Sequence, residues 1–244
     1  SSAYDFGFSK TFEETFAFWN KEETLRESVW LIRKLRPDVI ITRFPPDPRG
    51  GHGHHQASAI LAHEAFIAAA DPKRFPEQLD ELDVWQAKRL LWNTANFGGQ
   101  NNTSDDQLKI ETGDFNTLLG ASYGEVSAIS RSQHKSQGFG SASSRGQSIE
   151  YFEHVAGEPA KQTLLDGVTT DWSRVANAGS IAQHIAELNK SFDMNAPQKS
   201  IPALIALHKS VQNIADKHWR AVKTQEIEEL ILACAGFYVD NYTL

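Results

Sequence analysis

The sequence predicts an α/β fold, in which a mostly parallel sheet is flanked by helices and is followed by a helical region. A capped amphipathic segment leads through Pro37 into a short β-branched run, Val39-Ile40-Ile41-Thr42. Further strand and helix patterns alternate up to about residue 155, and only helical periodicity follows residue 158. This alternation is typical of helices packed on the faces of a sheet.

The first helices are predicted by their start and stop signals. Thr11-x-x-Glu14 and Asn20-x-x-Glu23 have the form of capping boxes, and apolar residues then recur at helical spacing. We expect a helix over residues 21–35 that ends before Pro37, because a residue that precedes proline is disfavoured in the helical conformation. The β-branched run that follows is typical of a strand buried on both faces of a parallel sheet.

Three histidines lie where that strand gives way to the next helix. The strand enters a loop rich in proline and glycine, residues 44–51, and His52-Gly53-His54-His55 follows directly. A helix is predicted over residues 57–70. Because ligands of open α/β sheets bind at the carboxyl ends of strands, the histidines mark a candidate site.

The rest of the chain separates into two regions. Strands are predicted over residues 87–92 and 149–155, a capped helix after Ser122, and a flexible loop or lid over residues 136–148. Three amphipathic helices follow, and the last contains Cys234, which we expect to serve packing. We therefore predict an α/β domain over residues 1–157 and a helical appendage over residues 158–244.

Composition excludes several function classes. The 244 residues include 24 basic and 31 acidic side chains, a net charge of −7, which disfavours a nucleic-acid partner. A single cysteine excludes an internal disulfide framework. No apolar run reaches the length of a membrane span, and no targeting signal is visible, so the compartment is left open.

The histidine cluster favours metal or acid–base chemistry. Imidazole is the commonest metal-binding side chain, and His52 and His55 have the spacing to face one site at a helix start. A catalytic zinc needs three protein ligands and an open position, which two histidines do not supply. The alternative is a solvated loop of histidine and glycine.

The segment from Arg36 to Ser58, RPDVIITRFPPDPRGGHGHHQAS, resembles the LmbE-like, or PIG-L, zinc-dependent N-deacetylases. A second stretch, Ser130 to Gln137, is similar to the later His-x-Ser-Gln element of that family. The resemblance covers about residues 4–155, and it implies a Rossmann-like fold of the LmbE type. It also implies hydrolysis of a linear amide C–N bond, that of the N-acetyl group on an N-acetylglucosamine-type sugar or glycoconjugate.

The resemblance assigns roles to individual residues. His55 matches the zinc ligand of the His-x-x-His motif, and His52 matches the histidine that supports the oxyanion and protonates the leaving amine. His134 would line the site without binding the metal. His54 stands where relatives commonly have aspartate, so its role is open.

Two other residues near the motif are candidates on chemical grounds. Arg43, at the end of the strand, presents a fork of donors suited to substrate hydroxyl or phosphate groups. Its alternative is an ordinary ion pair that anchors the loop. Asp47 is a candidate hydrogen-bond partner of a motif histidine, with a plain turn residue as its alternative.

The first motif of the family, His-Pro-Asp-Asp-Glu, does not occur in this sequence. In the family it supplies two of the three zinc ligands and the carboxylate base. We therefore expect a fold that is incomplete at its N-terminus, weak zinc binding, and little or no deacetylase activity in this chain alone.

Two other functions stay open. The chain is alternatively a non-catalytic sugar-binding or scaffolding module that keeps the fold, or a histidine-rich protein that binds metal through His52, His54 and His55. Because missing strands would expose sheet edges, we also expect association between copies, as a homo-oligomer.

Overall fold

A computed structural model describes residues 2–96, 101–135 and 140–237. The chain divides into two compact units, the first ending at Val168 and the second beginning at Thr169. The sequence places its domain boundary slightly earlier, after residue 157. Each unit has its own apolar core.

The first two helices begin at the predicted caps. Helix α1 (Phe12–Phe18) starts after Thr11, and α2 (Lys21–Leu35) starts after Asn20, each cap accepting a hydrogen bond from a backbone N–H. Helix α2 spans the predicted residues. It ends because Arg36 adopts a left-handed conformation, with φ of 49°, directly before Pro37.

The sheet contains the predicted strands in a mixed arrangement. In chain order the strands are β1 (Val39–Thr42), β2 (Arg89–Thr94), β3 (Leu108–Glu111), β4 (Phe115–Asn116), β5 (Ala121–Ser122) and β6 (Ile149–Gly157). Four form one sheet in the order β1-β2-β6-β3, and β4 pairs with β5 separately. The sheet and its flanking helices confirm the α/β class. Only β1 and β2 run parallel in the four-stranded sheet, so the prediction of a mostly parallel sheet is wrong for the described residues.

The strand buried on both faces is β2, not β1. Leu90, Leu91 and Trp92 of β2 are at most 3% exposed, so both faces of this strand are covered. In β1, Ile41 is 46% exposed, so one face of this strand is open within the described residues. The β-branched run correctly predicts a strand at β1, but the predicted burial of both faces of that strand is wrong.

Helix α3 (Gly53–Ala68) begins earlier than the apolar pattern predicts and therefore includes two of the three histidines. It packs on α2 through Leu61 and Ala65, which meet Leu25 and Val29 in one buried cluster. Phe66 on the same helix packs against Leu90 of β2. These contacts hold α3 against α2 and the sheet.

Helix α4 (Tyr123–Arg131) has the predicted capping box at Ser122 and Glu125. The Arg145 guanidinium and the backbone N–H of Ser122 lower the pKa of Glu125 to about 2. The predicted loop over residues 136–148 is described from residue 140 onwards, and residues 136–139 lie outside the described residues.

The segment that follows β6 is attached to the sheet by Arg89. This guanidinium is 1% exposed and donates to the carbonyls of Glu158, Leu164 and Asp166 at 3.0, 2.5 and 2.5 Å. For this reason the first compact unit extends past β6.

Within its described residues the second unit contains three α-helices, α5 (Gly179–Ser191), α6 (Ile201–Val211) and α7 (Lys217–Cys234), as the apolar spacing predicts. Their core is formed by Ile181, Leu204, Val211 and Ile227. Cys234 is partly buried against that core. Within the residues that the structure describes, none of the helices has the length and apolarity that a bilayer span requires.

Candidate active site

The histidine motif lies at the carboxyl end of β1, where the sequence predicts a site. A loop with a short 3-10 turn, Pro48–Gly50, connects the strand to the helix. His52 is the N-cap residue of α3, and its side chain makes no capping hydrogen bond. His54 and His55 lie in the first turn of the helix.

His55 is held by one stacking contact and one hydrogen bond. Its ring lies flat on Phe44, with centroids 3.6 Å apart and planes 4° apart. Its Nδ1 is 3.0 Å from the carbonyl oxygen of Gly50. Because a carbonyl oxygen only accepts, Nδ1 carries the proton, and Nε2 of the neutral ring keeps the lone pair that a metal or a proton donor requires.

His52 lies beside His55 but is exposed. The two ring centroids are 5.2 Å apart, and the ring of Phe8 makes a T-shaped contact with His52, with centroids 5.0 Å apart. The structure therefore brings together the two histidines to which the sequence assigns the main roles, the partly buried His55 and the exposed His52. These roles stay predictions.

His54 faces the N-terminal segment. Its Nδ1 is 3.0 Å from the hydroxyl of Ser9, and its ring stacks on Phe6 at 4.4 Å. Its Nε2 is buried and has no hydrogen-bond partner among the described residues. His54 thus joins the N-terminal segment to α3.

A cavity of about 240 Å³ lies next to His55. It is lined by Ile41, Thr42, Arg43, Phe44, His55, Ser58, Ala59 and Ala62. Within the described part of the chain, the buried hydroxyl of Thr42 has no hydrogen-bond partner. The cavity therefore combines an apolar lining with a hydroxyl, a guanidinium and an imidazole, as small-molecule sites commonly do.

Arg43 and Asp47 are each engaged with a neighbouring charge. Arg43 hydrogen-bonds Asn93 and lies 3.5 Å from a carboxylate oxygen of Glu150. Asp47 accepts from the Arg49 guanidinium at 2.8 Å, and this hydrogen bond lowers the pKa of Asp47. Within the described residues Asp47 has no hydrogen bond to a motif histidine, and the candidate roles of Arg43 and Asp47 stay predictions.

His134 follows α4 in an exposed position. Among the described residues, no hydrogen bond or ring contact joins His134 to His52 or His55. Two residues of its sequence element, Ser136 and Gln137, lie outside the described residues. The predicted role of His134 in lining the site stays a prediction.

The residues present fit a zinc site only in part. His55 has the tautomer and the carbonyl contact of a metal-binding histidine. However, the described residues contain no group of three histidine, cysteine or carboxylate side chains that is able to hold a metal ion. The visible donor set is thus smaller than the three protein ligands of a catalytic zinc.

Gly53 is required by the close approach of the N-terminal segment. A Cβ at this position would lie 2.1 Å from the carbonyl oxygen of Thr11 and 2.6 Å from the hydroxyl of Ser9. The backbone N–H of Gly53 also donates to the carbonyl of Ser9 at 2.9 Å. The start of α3 and the segment before α1 therefore form one packed unit.

We expect Gly53→Ala to destabilise the protein by about 1–3 kcal/mol and to loosen the N-terminal segment, as overpacking does. The matched control is Gly179→Ala, at the first residue of α5, where no atom lies within 4 Å of the added Cβ. Thermal denaturation and hydrogen exchange at the Gly53 amide measure both effects. Equal stability of the two variants would contradict the packing described.

Histidine burial also predicts a pH dependence. Burial lowers the pKa of His55 and of His63, which lies on the same helix. Both bind a proton more readily in the unfolded chain, whose histidine pKa is about 6.5. The free energy of unfolding should therefore fall as the pH drops through about 6.5, and level off below the pKa of the folded state.

Urea unfolding at a series of pH values tests this dependence. His63→Leu removes one of the two titrating groups, so its stability should change less steeply with pH than that of the wild type. A stability that increases on acidification through this range would contradict the partly buried, neutral state of the two rings.

Several residues of the site were not predicted from the sequence. Phe44, Phe8, Ser9 and Thr42 contact or line it, yet the sequence assigns none of them a role. Position is the only signal that was available for Phe44 and Thr42, because they stand at the carboxyl end of β1. No signal of this kind marks Phe8 and Ser9, whose proximity depends on tertiary packing.

Comparisons with known proteins support the resemblance read from the sequence. The chain is 34% identical over 84 residues to a 1D-myo-inositol 2-acetamido-2-deoxy-alpha-D-glucopyranoside deacetylase of Geodermatophilus obscurus, covering 33% of this chain and 26% of that protein. Proteins of the same name from Streptomyces avermitilis and Streptomyces scabiei are 34% identical over 80 residues and 33% identical over 90 residues. These matches cover 32% and 35% of this chain, and 26% of each relative.

The resemblance to LmbE-like deacetylases is thus confirmed over about a third of the chain. The matched segment spans about a quarter of the length of these relatives. No protein-family model matches the sequence, and no solved structure matches it.

Proposed function

We propose that this chain forms part of an N-deacetylase that hydrolyses the N-acetyl group of an N-acetylglucosamine-type sugar or conjugate. One observation carries the proposal. An exposed histidine, His52, lies beside a partly buried histidine, His55, whose Nε2 is left with its lone pair. The names of the relatives supply the reaction class and the amino-sugar substrate.

Amide hydrolysis requires that a proton reach the leaving nitrogen when the tetrahedral intermediate collapses to acetate and free amine. His52 is the residue we assign to this step, because its ring is exposed and makes no capping hydrogen bond. In its protonated form it also donates a hydrogen bond toward the oxyanion, which stabilises charge that develops only during the reaction.

Zinc dependence is a second part of the proposal. His55 would be the ligand that this chain contributes, since its Nδ1 contact with Gly50 fixes the ring as carbonyl contacts fix metal-binding histidines. Because the described residues hold no three-ligand group, we propose that the chain alone binds zinc weakly and has little or no activity. We also propose that the first unit is a version of the Rossmann-like LmbE fold.

A non-catalytic sugar-binding module is the second candidate function. The absence of a three-ligand group among the described residues favours it. Metal binding through the three histidines together is disfavoured, because the ring of His54 is engaged with Ser9 and Phe6.

An amine-release assay distinguishes these functions. The natural polypeptide that carries this sequence is incubated with an N-acetylglucosaminide, with and without a metal chelator. Amine release that the chelator abolishes supports the zinc deacetylase. Sugar binding without amine release identifies the binding module instead. If neither sugar binding nor amine release is observed, both candidate functions are refuted.

A further inference from the structure

An aromatic side chain stands in solvent beside the candidate proton donor. Phe8 is 72% exposed, and its ring makes a T-shaped contact with the ring of His52, with centroids 5.0 Å and planes 77° apart. Single exposed apolar side chains are common on protein surfaces and need no explanation by themselves. The position of Phe8 therefore requires a second observation before it indicates a function.

The second observation is that the backbone next to Phe8 is anchored. Ser9 is 1% exposed, its carbonyl accepts from Gly53, and its hydroxyl contacts both Thr15 and His54, at 2.8 and 3.0 Å. The exposure of Phe8 thus does not result from a loosely attached segment. The fold holds an apolar ring at a fixed place, in contact with the exposed histidine of the site.

The neighbouring aromatic side chains are engaged with other parts of the protein and do not contact His52 among the described residues. Phe6 stacks on His54 and on Phe18, and Trp19 donates its indole N–H to the carbonyl of Tyr4. These contacts join the segment to α1 and α3. Phe8 is the ring of this segment that contacts His52.

We propose that Phe8 is a specificity-determining residue, which packs against the apolar C–H face of the amino-sugar ring while the N-acetyl group points toward His52. This inference rests on the proposed function, from which it takes the substrate class. A pyranose ring presents such a face, and an exposed aromatic side chain gains contact area when the face covers it. Phe8 takes no part in bond making or breaking.

Titration of this chain with methyl N-acetyl-β-D-glucosaminide, followed by NMR, tests the inference. We expect Phe8→Ala to raise the dissociation constant about tenfold, and Phe8→Tyr, which keeps the ring, to leave it nearly unchanged. The matched control is Phe18→Ala. Phe18 is also exposed, at 53%, but it stacks on Phe6, so its removal should not alter sugar binding.

Each other outcome contradicts the inference. Equal affinity of the wild type and Phe8→Ala shows that the ring does not contact sugar. Equal weakening by Phe18→Ala shows that the ring supports the segment and not the ligand. A wild-type chain that binds no glucosaminide also overturns the inference, whereas the proposed function is decided separately by the amine-release assay.

Discussion

Replacing His52 by alanine should lower the rate of amine release by the natural polypeptide about 10²–10⁴-fold, the range typical of a lost general acid. His55→Ala should cause a loss of at least similar size, because it removes the proposed metal ligand. The two losses should differ in one respect. Added zinc should restore part of the activity of His55→Ala and none of that of His52→Ala.

His154→Ala is the control for these substitutions. His154 is an exposed histidine on β6, and its Nε2 contacts the carbonyl of Gly157. Its replacement should leave the rate within about twofold. Full activity in either His52→Ala or His55→Ala, with the folded state verified by hydrogen exchange, would remove that residue from the mechanism.

Arg33→Met should lower the free energy of unfolding by more than about 3 kcal/mol, because it leaves several carbonyl oxygens without their donor, at a cost of about 1–3 kcal/mol for each one that stays buried and unsatisfied. Arg33 is fully buried in α2. It donates to the carbonyls of Ala68, Ala69, Asp71, Arg74 and Phe75 and to the side-chain oxygen of Gln78, at 2.8–3.3 Å. One guanidinium thereby satisfies the C-terminal end of α3 and the turn that follows it, where helix carbonyls otherwise lack donors.

Arg33→Lys should recover only a small part of this stability, since an ammonium group has three donors and lacks the planar fork of a guanidinium. The matched control is Lys34→Met, at the exposed neighbouring position, which we expect to change stability by less than about 0.5 kcal/mol. Hydrogen exchange at the amides of α2 and α3 measures the stability of this unit separately. A wild-type-like Arg33→Met would contradict the role described.

Local signals in the sequence predict much of the fold. The capping residues Thr11, Asn20 and Ser122 each begin a helix, and Pro37 follows the end of α2. These features act over a few residues, so the sequence displays them directly. The strand pairing depends on distant segments, and for this reason the antiparallel position of β6 was not predicted.

The sequence likewise predicts some features of the candidate site and not others. The neighbouring positions of His52 and His55 follow from their spacing at a helix start. The separate orientation of His54 does not, because it depends on Ser9 and Phe6, more than 40 residues away in sequence. The buried donors Arg33 and Arg89 were also missed, since their partners are backbone carbonyls, which leave no trace in a sequence pattern.

We propose that His55 supplies one ligand of a zinc site for which the described residues, by themselves, hold too few donors. Calorimetric titration of the isolated chain with Zn²⁺, beside His55→Ala, measures this directly. We expect weak binding by the wild type and a further loss in the variant. Tight, stoichiometric zinc binding by the wild-type chain, or binding that His55→Ala leaves unchanged, would contradict it.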